Sequence, residues 1–227
     1  MKYILLSLLV VLSLNVGKIA AFDARSTFNN FVRDPPPASN VTVNVTWVFI
    51  HKVNVTLVGI TISNLQSSQY AALGLGQNQS MGEAHVFMCK RFANNSIAIQ
   101  RFVNPEGHHP PVPAGSEQGG VFTPLPSKFI DGIVICQFSL SNFAPETVKQ
   151  LDTLRPLSPT AKYHPLFSVG RLNSTGDAQY HNGREPQPSL VQLNENQNLM
   201  FRENTTKPFA AHSMTKNKKN TGIFLHE

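Results

Sequence analysis

Val41-Thr42-Val43-Asn44-Val45-Thr46-Trp47-Val48-Phe49 decides how the rest of this chain reads. Its odd positions carry Val, Val, Val, Trp and Phe, while positions 42, 44 and 46 carry Thr, Asn and Thr. Side chains on a strand alternate between two faces, so a period of two turns one apolar face to a core and leaves Asn44 on the wet side. Asn44 begins an Asn-x-Thr sequon, and a glycan fits on that solvent face.

Strand-like runs continue outward from this segment. Together they cover roughly 41–50, 53–63, 69–76, 84–91, 96–103, 130–140, 163–169 and 177–181. Turn chemistry separates them: Gly76 to Gly82, Asn94-Asn95, Asn104-Pro105-Glu106-Gly107, and Asn173 to Gly176. Eight short strands with this punctuation and no alternating helices predict an all-β, immunoglobulin-like sandwich. With 15 Phe, 16 Pro and 14 Gly, the composition agrees, and 41% hydrophobic against 14% charged residues excludes a disordered chain. Two stretches read as long irregular loops, 104–128 with His108-His109-Pro110-Pro111, and 145–161.

The ends read differently from the middle. Lys2, the apolar run Ile4 to Leu14 and the small pair Ala20-Ala21 have the layout of a secretory signal peptide over 1–21. The run falls short of the roughly 20 residues that span a bilayer; an uncleaved anchor is the alternative. Asp34-Pro35-Pro36-Pro37 marks an extended linker over 22–39, and 196–227 reads as a flexible polar tail. The expectation is a secreted, extracellular chain that spans no membrane once 1–21 is removed. Losing Lys2 and Lys18 lowers the formal charge from +6 to +4, too modest a surplus to indicate nucleic acid.

Secretion sets the chemistry of the two cysteines and the sequons. In an oxidising compartment Cys89 and Cys136 pair by default, each from a strand-like run; buried free thiols are the alternative. Closing that loop of 48 residues stabilises the fold by roughly 4 kcal/mol on the chain-entropy account. Sequons begin at Asn40, Asn44, Asn54, Asn78, Asn94, Asn173 and Asn204, the candidate glycosylation sites.

Five further stretches carry a likeness. Tyr70-Ala71-Ala72-Leu73-Gly74-Leu75-Gly76 is followed by Ser80-Met81-Gly82-Glu83-Ala84-His85-Val86-Phe87-Met88-Cys89. Later come Ile135-Cys136-Gln137-Phe138, then Tyr163-His164-Pro165-Leu166-Phe167-Ser168-Val169-Gly170 and Asp177-Ala178-Gln179-Tyr180-His181. In this order and spacing, residues 40–195 resemble the DOMON family, most of all the DOMON module of ferric-chelate reductases and of ferric-chelate reductase 1-like protein. The resemblance implies a β-sandwich holding haem b or another small ligand. Carried over by position, Met81 and His181 would be the two axial ligands of the haem iron. A thioether and an imidazole give six-coordinate iron suited to moving single electrons. Phe87 and Phe138 would form an apolar wall around it. His85 departs from the family's Asp, Val169 stands in place of a Trp, and no cytochrome b561 membrane unit follows.

Other histidines carry the same donor chemistry. His164 is the runner-up ligand, while His51 and His85 read as satisfied surface or core groups. Adjacent His108 and His109 rarely aim at one ion. No Gly-x-Ser-x-Gly elbow, His-x-x-x-His zinc motif or phosphate-binding glycine loop is present, and the acids, among them Glu83, Glu106, Glu117, Asp131 and Asp152, form no catalytic pair. The sequence therefore offers no independent catalytic apparatus. It implies an electron-transfer module with a membrane-bound redox partner, or alternatively a non-redox extracellular module that binds a receptor or small ligand.

Overall fold

The computed structural model describes residues 40–80, 82–105, 110–143 and 154–202. Eleven strands appear among them: β1 (Thr42–Ile50), β2 (Val55–Ser63), β3 (Gln69–Gly76), β4 (Ala84–Arg91), β5 (Ile97–Asn104), β6 (Val112–Pro113), β7 (Val121–Ile130), β8 (Ile133–Ser141), β9 (His164–Leu172), β10 (Ala178–Pro186) and β11 (Gln197–Arg202). They form a five-stranded sheet in the order β11-β1-β2-β8-β7 and a six-stranded sheet in the order β10-β9-β3-β4-β5-β6. The paired strands run antiparallel. This is the expected all-β sandwich.

Alternation builds the core. From β1, Val43, Val45 and Trp47 point inward, and their partners Ile62, Ile60 and Val58 on β2 lie in the same layer. The six-stranded sheet contributes Ala71, Leu73, Leu75, Phe87, Cys89, Phe167 and Val169. Rings stack across the gap, Phe87 on Phe138 at 4.6 Å between centroids and Phe167 on Phe201 at 5.4 Å. Cys89 on β4 and Cys136 on β8 form a disulfide that ties one sheet to the other, as the two strand-like runs implied.

Strands β3 and β4 are buried along nearly their whole length, which alternation with a wet face does not allow. The reason is a second apolar cluster on the outer side of the six-stranded sheet. Tyr70, Ala72, Val86, Met88 and Leu172 form it, with Phe92, Phe102 and Ala178 packed alongside. A strand buried on both faces reads as a continuous apolar run, and Tyr70–Gly76 does.

Three strands lie where the sequence predicted something else. β6 and β7 occupy the stretch read as the irregular loop 104–128, and β11 opens the stretch read as a flexible tail. Pro124 and Pro126 hid β7; it is an edge strand, where a missing N–H need not cost a ladder bond, and its register shifts between Leu125 and Lys128. The run read as 130–140 is β8, which starts at Ile133 because Asp131 and Gly132, with φ of 50° and 79°, turn the chain after β7 ends at Ile130. The linker over 22–39, the signal segment 1–21 and the tail beyond 202 lie outside the described residues. Among the described residues, no helix is long and apolar enough to cross a membrane.

Candidate functional site

The β9–β10 hairpin carries the predicted imidazole. Its turn closes on Asn173, whose Oδ1 accepts from the N–H of Thr175 (3.0 Å), the Thr175 hydroxyl (2.7 Å) and the N–H of Asp177 (2.8 Å). Beyond the turn, β10 pairs Ala178 with Leu172, His181 with Gly170 and Gly183 with Val169, so an extra residue intervenes on each side of His181. Bulges of this kind re-aim a side chain. Gly170 pairs in turn with Tyr70, a member of the outer cluster, so His181 lies on the outer face of the six-stranded sheet.

There the ring is 9% exposed, and its Nδ1 is buried without a hydrogen-bond partner. Burial pushes the imidazole down to about 4, with the nearby Arg184 guanidinium acting in the same direction, so the ring is neutral at physiological pH. The ring of Tyr180, itself 54% exposed, stacks on His181 at 4.5 Å between centroids. The Tyr70 hydroxyl donates to the carbonyl of nearby Gln179 at 2.9 Å. Burial, and secondarily Tyr180, raises the Tyr70 phenol above its ordinary range, so it stays a donor.

A cavity of about 340 Å³ opens along this edge, lined by Gln79, Ser80, Leu166, Arg184, Glu185 and Pro186 among others. Ser80, which directly precedes Met81, packs at Gly76 opposite His164, six residues along β9 from the rung of His181; Arg184 lies three residues after His181, whose own ring is not part of the lining. Met81 itself lies outside the described residues. A neutral, buried imidazole with an unpartnered nitrogen suits an iron ligand, and the Arg184 cation suits a carboxylate-bearing cofactor. On the residues described, the donor chemistry fits haem at His181.

His164 shares one property, a buried Nδ1 without a partner, but lies opposite Gly76, six residues along β9 from the rung of His181. That separation is about 20 Å at strand rise. Phe87 and Phe138 do not wall the His181 site: they stack between the sheets, on the opposite face of β4, so that expectation is corrected. His51 is exposed, and His108 and His109 lie outside the described residues. Among the described residues, no three His, Cys, Asp or Glu side chains cluster to hold a metal.

His85 is the other buried histidine, 0% exposed on the inner face opposite Leu75. Its Nε2–H donates to the Arg155 carbonyl at 2.9 Å, and its Nδ1 faces Arg101 Nη2 at 3.4 Å. Burial, then the Arg101 charge, pushes His85 down to about 3. Arg101 also donates to the carbonyls of Gln118 (3.0 Å), Gly119 (2.7 Å) and Gly120 (2.6 Å), clamping the loop before β7. Gly119 and Gly120, with φ of 68° and 71°, present those carbonyls, and a Cβ on Gly119 would strike Pro156 at 2.8 Å. Sequence reasoning foresaw a satisfied His85 but not this clamp, nor Tyr70, Tyr180 and Arg184 around His181.

The sequons sit as follows. Asn40 precedes β1 and Asn54 occupies the left-handed position after the β1–β2 turn, both exposed. Asn44 lies on the outer face as expected but is half-buried, its Oδ1 without a partner. Asn78, Asn94 and Asn173 occupy turns, their Oδ1 atoms accepting from Ser80, Ser96 and Thr175 of the same sequon. Asn204 lies outside the described residues.

The fold and the bridge define a disulfide-bonded all-β sandwich. No family model matches the chain, and no curated protein matches it. Among solved structures, the cytochrome domain of Myriococcum thermophilum cellobiose dehydrogenase aligns with 71% of this chain and 74% of its own, at 8% identity and a TM-score of 0.41. At that degree of likeness nothing about this chain follows from it.

Proposed function

We propose that this chain is a DOMON-type electron-transfer module of the ferric-chelate reductase kind, binding haem b through Met81 and His181 outside the cell. The observation that carries the reading is His181: a buried imidazole held neutral, its Nδ1 unpartnered, three residues before the Arg184 that lines the cavity along β9 and β10. A structural histidine this deep ordinarily has partners for its ring nitrogens, because a buried unpaired polar atom is costly. Haem held by Met81 and His181 would supply single-electron transfer. The chain's own part is to keep the imidazole unprotonated and to exclude water with the outer cluster around Tyr70 and Leu172. Arg184 sets a cation at the rim for an acidic edge of the cofactor. The disulfide supports an oxidising compartment, and the turn-borne sequons Asn78, Asn94 and Asn173 have room for glycans. Electrons would pass to or from a membrane-bound redox protein.

The test is optical. Mature chain expressed with added haem should show a Soret band that sharpens on dithionite reduction and is lost in both His181→Ala and Met81→Leu. A colourless, folded protein with an intact disulfide overturns the reading and leaves a non-redox extracellular binding module.

A further inference from the structure

Tyr70, Gly170 and His181 occupy one rung across β3, β9 and β10, all on the outer face of the sheet. Strands spaced about 4.8 Å apart put the first and last of these backbones about 10 Å from each other. The residue between them has no side chain, and Tyr70 fills that space. A Cβ on Gly170 would come within 2.6 Å of both Cε1 and the hydroxyl oxygen of Tyr70, so the phenol ring lies directly across β9. Its hydroxyl ends on the Gln179 carbonyl, 2.9 Å away. Gln179 belongs to the irregular stretch between Ala178 and His181, where the ladder is interrupted. The phenol thus ties down backbone next to His181 where regular pairing is broken, while the Tyr180 ring stacks on the imidazole.

We propose that Tyr70, passing over Gly170 to the Gln179 carbonyl, is a positioning residue that holds the bulged strand and so fixes the place and burial of His181. Its consequence for electron transfer rests on the reading of His181 as an iron ligand; the strut itself does not. This assigns physical work to two motif residues that ligation leaves unexplained. Tyr70 must be a tyrosine because the bond needs a hydroxyl at the far end of a ring, and Gly170 must lack a side chain because the ring occupies its place.

Diethyl pyrocarbonate labelling of the haem-free protein, read histidine by histidine by peptide mass spectrometry, tests it. Tyr70→Phe keeps the ring and removes the bond. Labelling of His181 should accelerate about fivefold, the equilibrium equivalent of one ordinary hydrogen bond. Gly170→Ala, which drives the ring off the rung, should accelerate it further. Exposed His51 should label at the wild-type rate and buried His85 should stay protected, which separates a local release from general loosening. Unchanged His181 labelling in folded Tyr70→Phe overturns the proposal, as does acceleration only together with His85. A chain that never takes up haem sinks the electron-transfer reading and leaves this measurement intact.

Discussion

The two faces of the six-stranded sheet each bury one histidine, and the two are opposites. On the inner face, His85 has a partner for each ring nitrogen, the Arg155 carbonyl and the Arg101 guanidinium. On the outer face, His181 is almost as deeply buried, yet its Nδ1 has no partner. Both rings are kept neutral by burial beside an arginine. Burial and a depressed pKa therefore do not separate a structural histidine from a ligand; the state of the ring nitrogens does. A partnered ring fixes two loops in place, whereas an orphaned one retains a lone pair or a donor for something the chain itself does not supply.

The comparison breaks most visibly at the clamp. Arg101→Met should destabilise the fold by about 3 kcal/mol in denaturant titration, because it removes the donor to the Gly119 and Gly120 carbonyls, one of two donors to that of Gln118, and the partner of His85 Nδ1. A loss under about 1 kcal/mol would mean that the carbonyls find water and the clamp is dispensable.

Acid sharpens it next. His85 stays neutral in the folded chain down to about pH 3, whereas in the unfolded chain it protonates near 6.5. Between those values the unfolded state binds more protons, so this contribution is present above about pH 6.5 and is lost as pH falls, by at most about 1.4 kcal/mol per unit. His181 adds a dependence of the same sign, ending near its own value of about 4. Stability measured from pH 7 to 4.5 should decline in the wild type and decline less steeply in His85→Gln. Equal slopes would show that His85 is not a source of the acid sensitivity.

The smallest effect should come from His181→Leu. Removing an orphaned polar atom costs no internal hydrogen bond, so global stability should change by less than about 1 kcal/mol, in either direction. A loss as large as that at Arg101 would reveal a hidden partner and end the contrast between the two histidines.

The central strands were legible from the sequence because both of their neighbours demand the pattern. β1 shows a strict period of two, and β3 and β4 show the apolar runs of strands covered on both sides. The strands that escaped, β6, β7 and β11, are all edges, and at the fourth edge the reading of β10 stopped at 181, short of its end at Pro186. An edge strand has an unpaired side, so it accommodates Pro113, Pro124 and Pro126, or the mixed outward set Asn198, Met200 and Arg202, without a loss that sequence pattern would register. Of β11, only Leu199 and Phe201 signalled a strand, and Phe201 is the residue that stacks on Phe167.

The site divides along the same line. The resemblance could nominate His181, Gly170 on the neighbouring strand and Tyr70 two strands away as members of separate motifs, but nothing in their spacing says they share a rung. That depends on the register of β3, β9 and β10 and on the two bulges beside His181, which are set by pairing across the sheet. By itself the sequence determined an all-β chain, its inner core and its disulfide partners, since alternation and apolar content are local properties. Only the tertiary structure decided which buried imidazole is satisfied and which is not, because a hydrogen-bond partner 70 residues away, such as Arg155 for His85, leaves no mark on the residues around it.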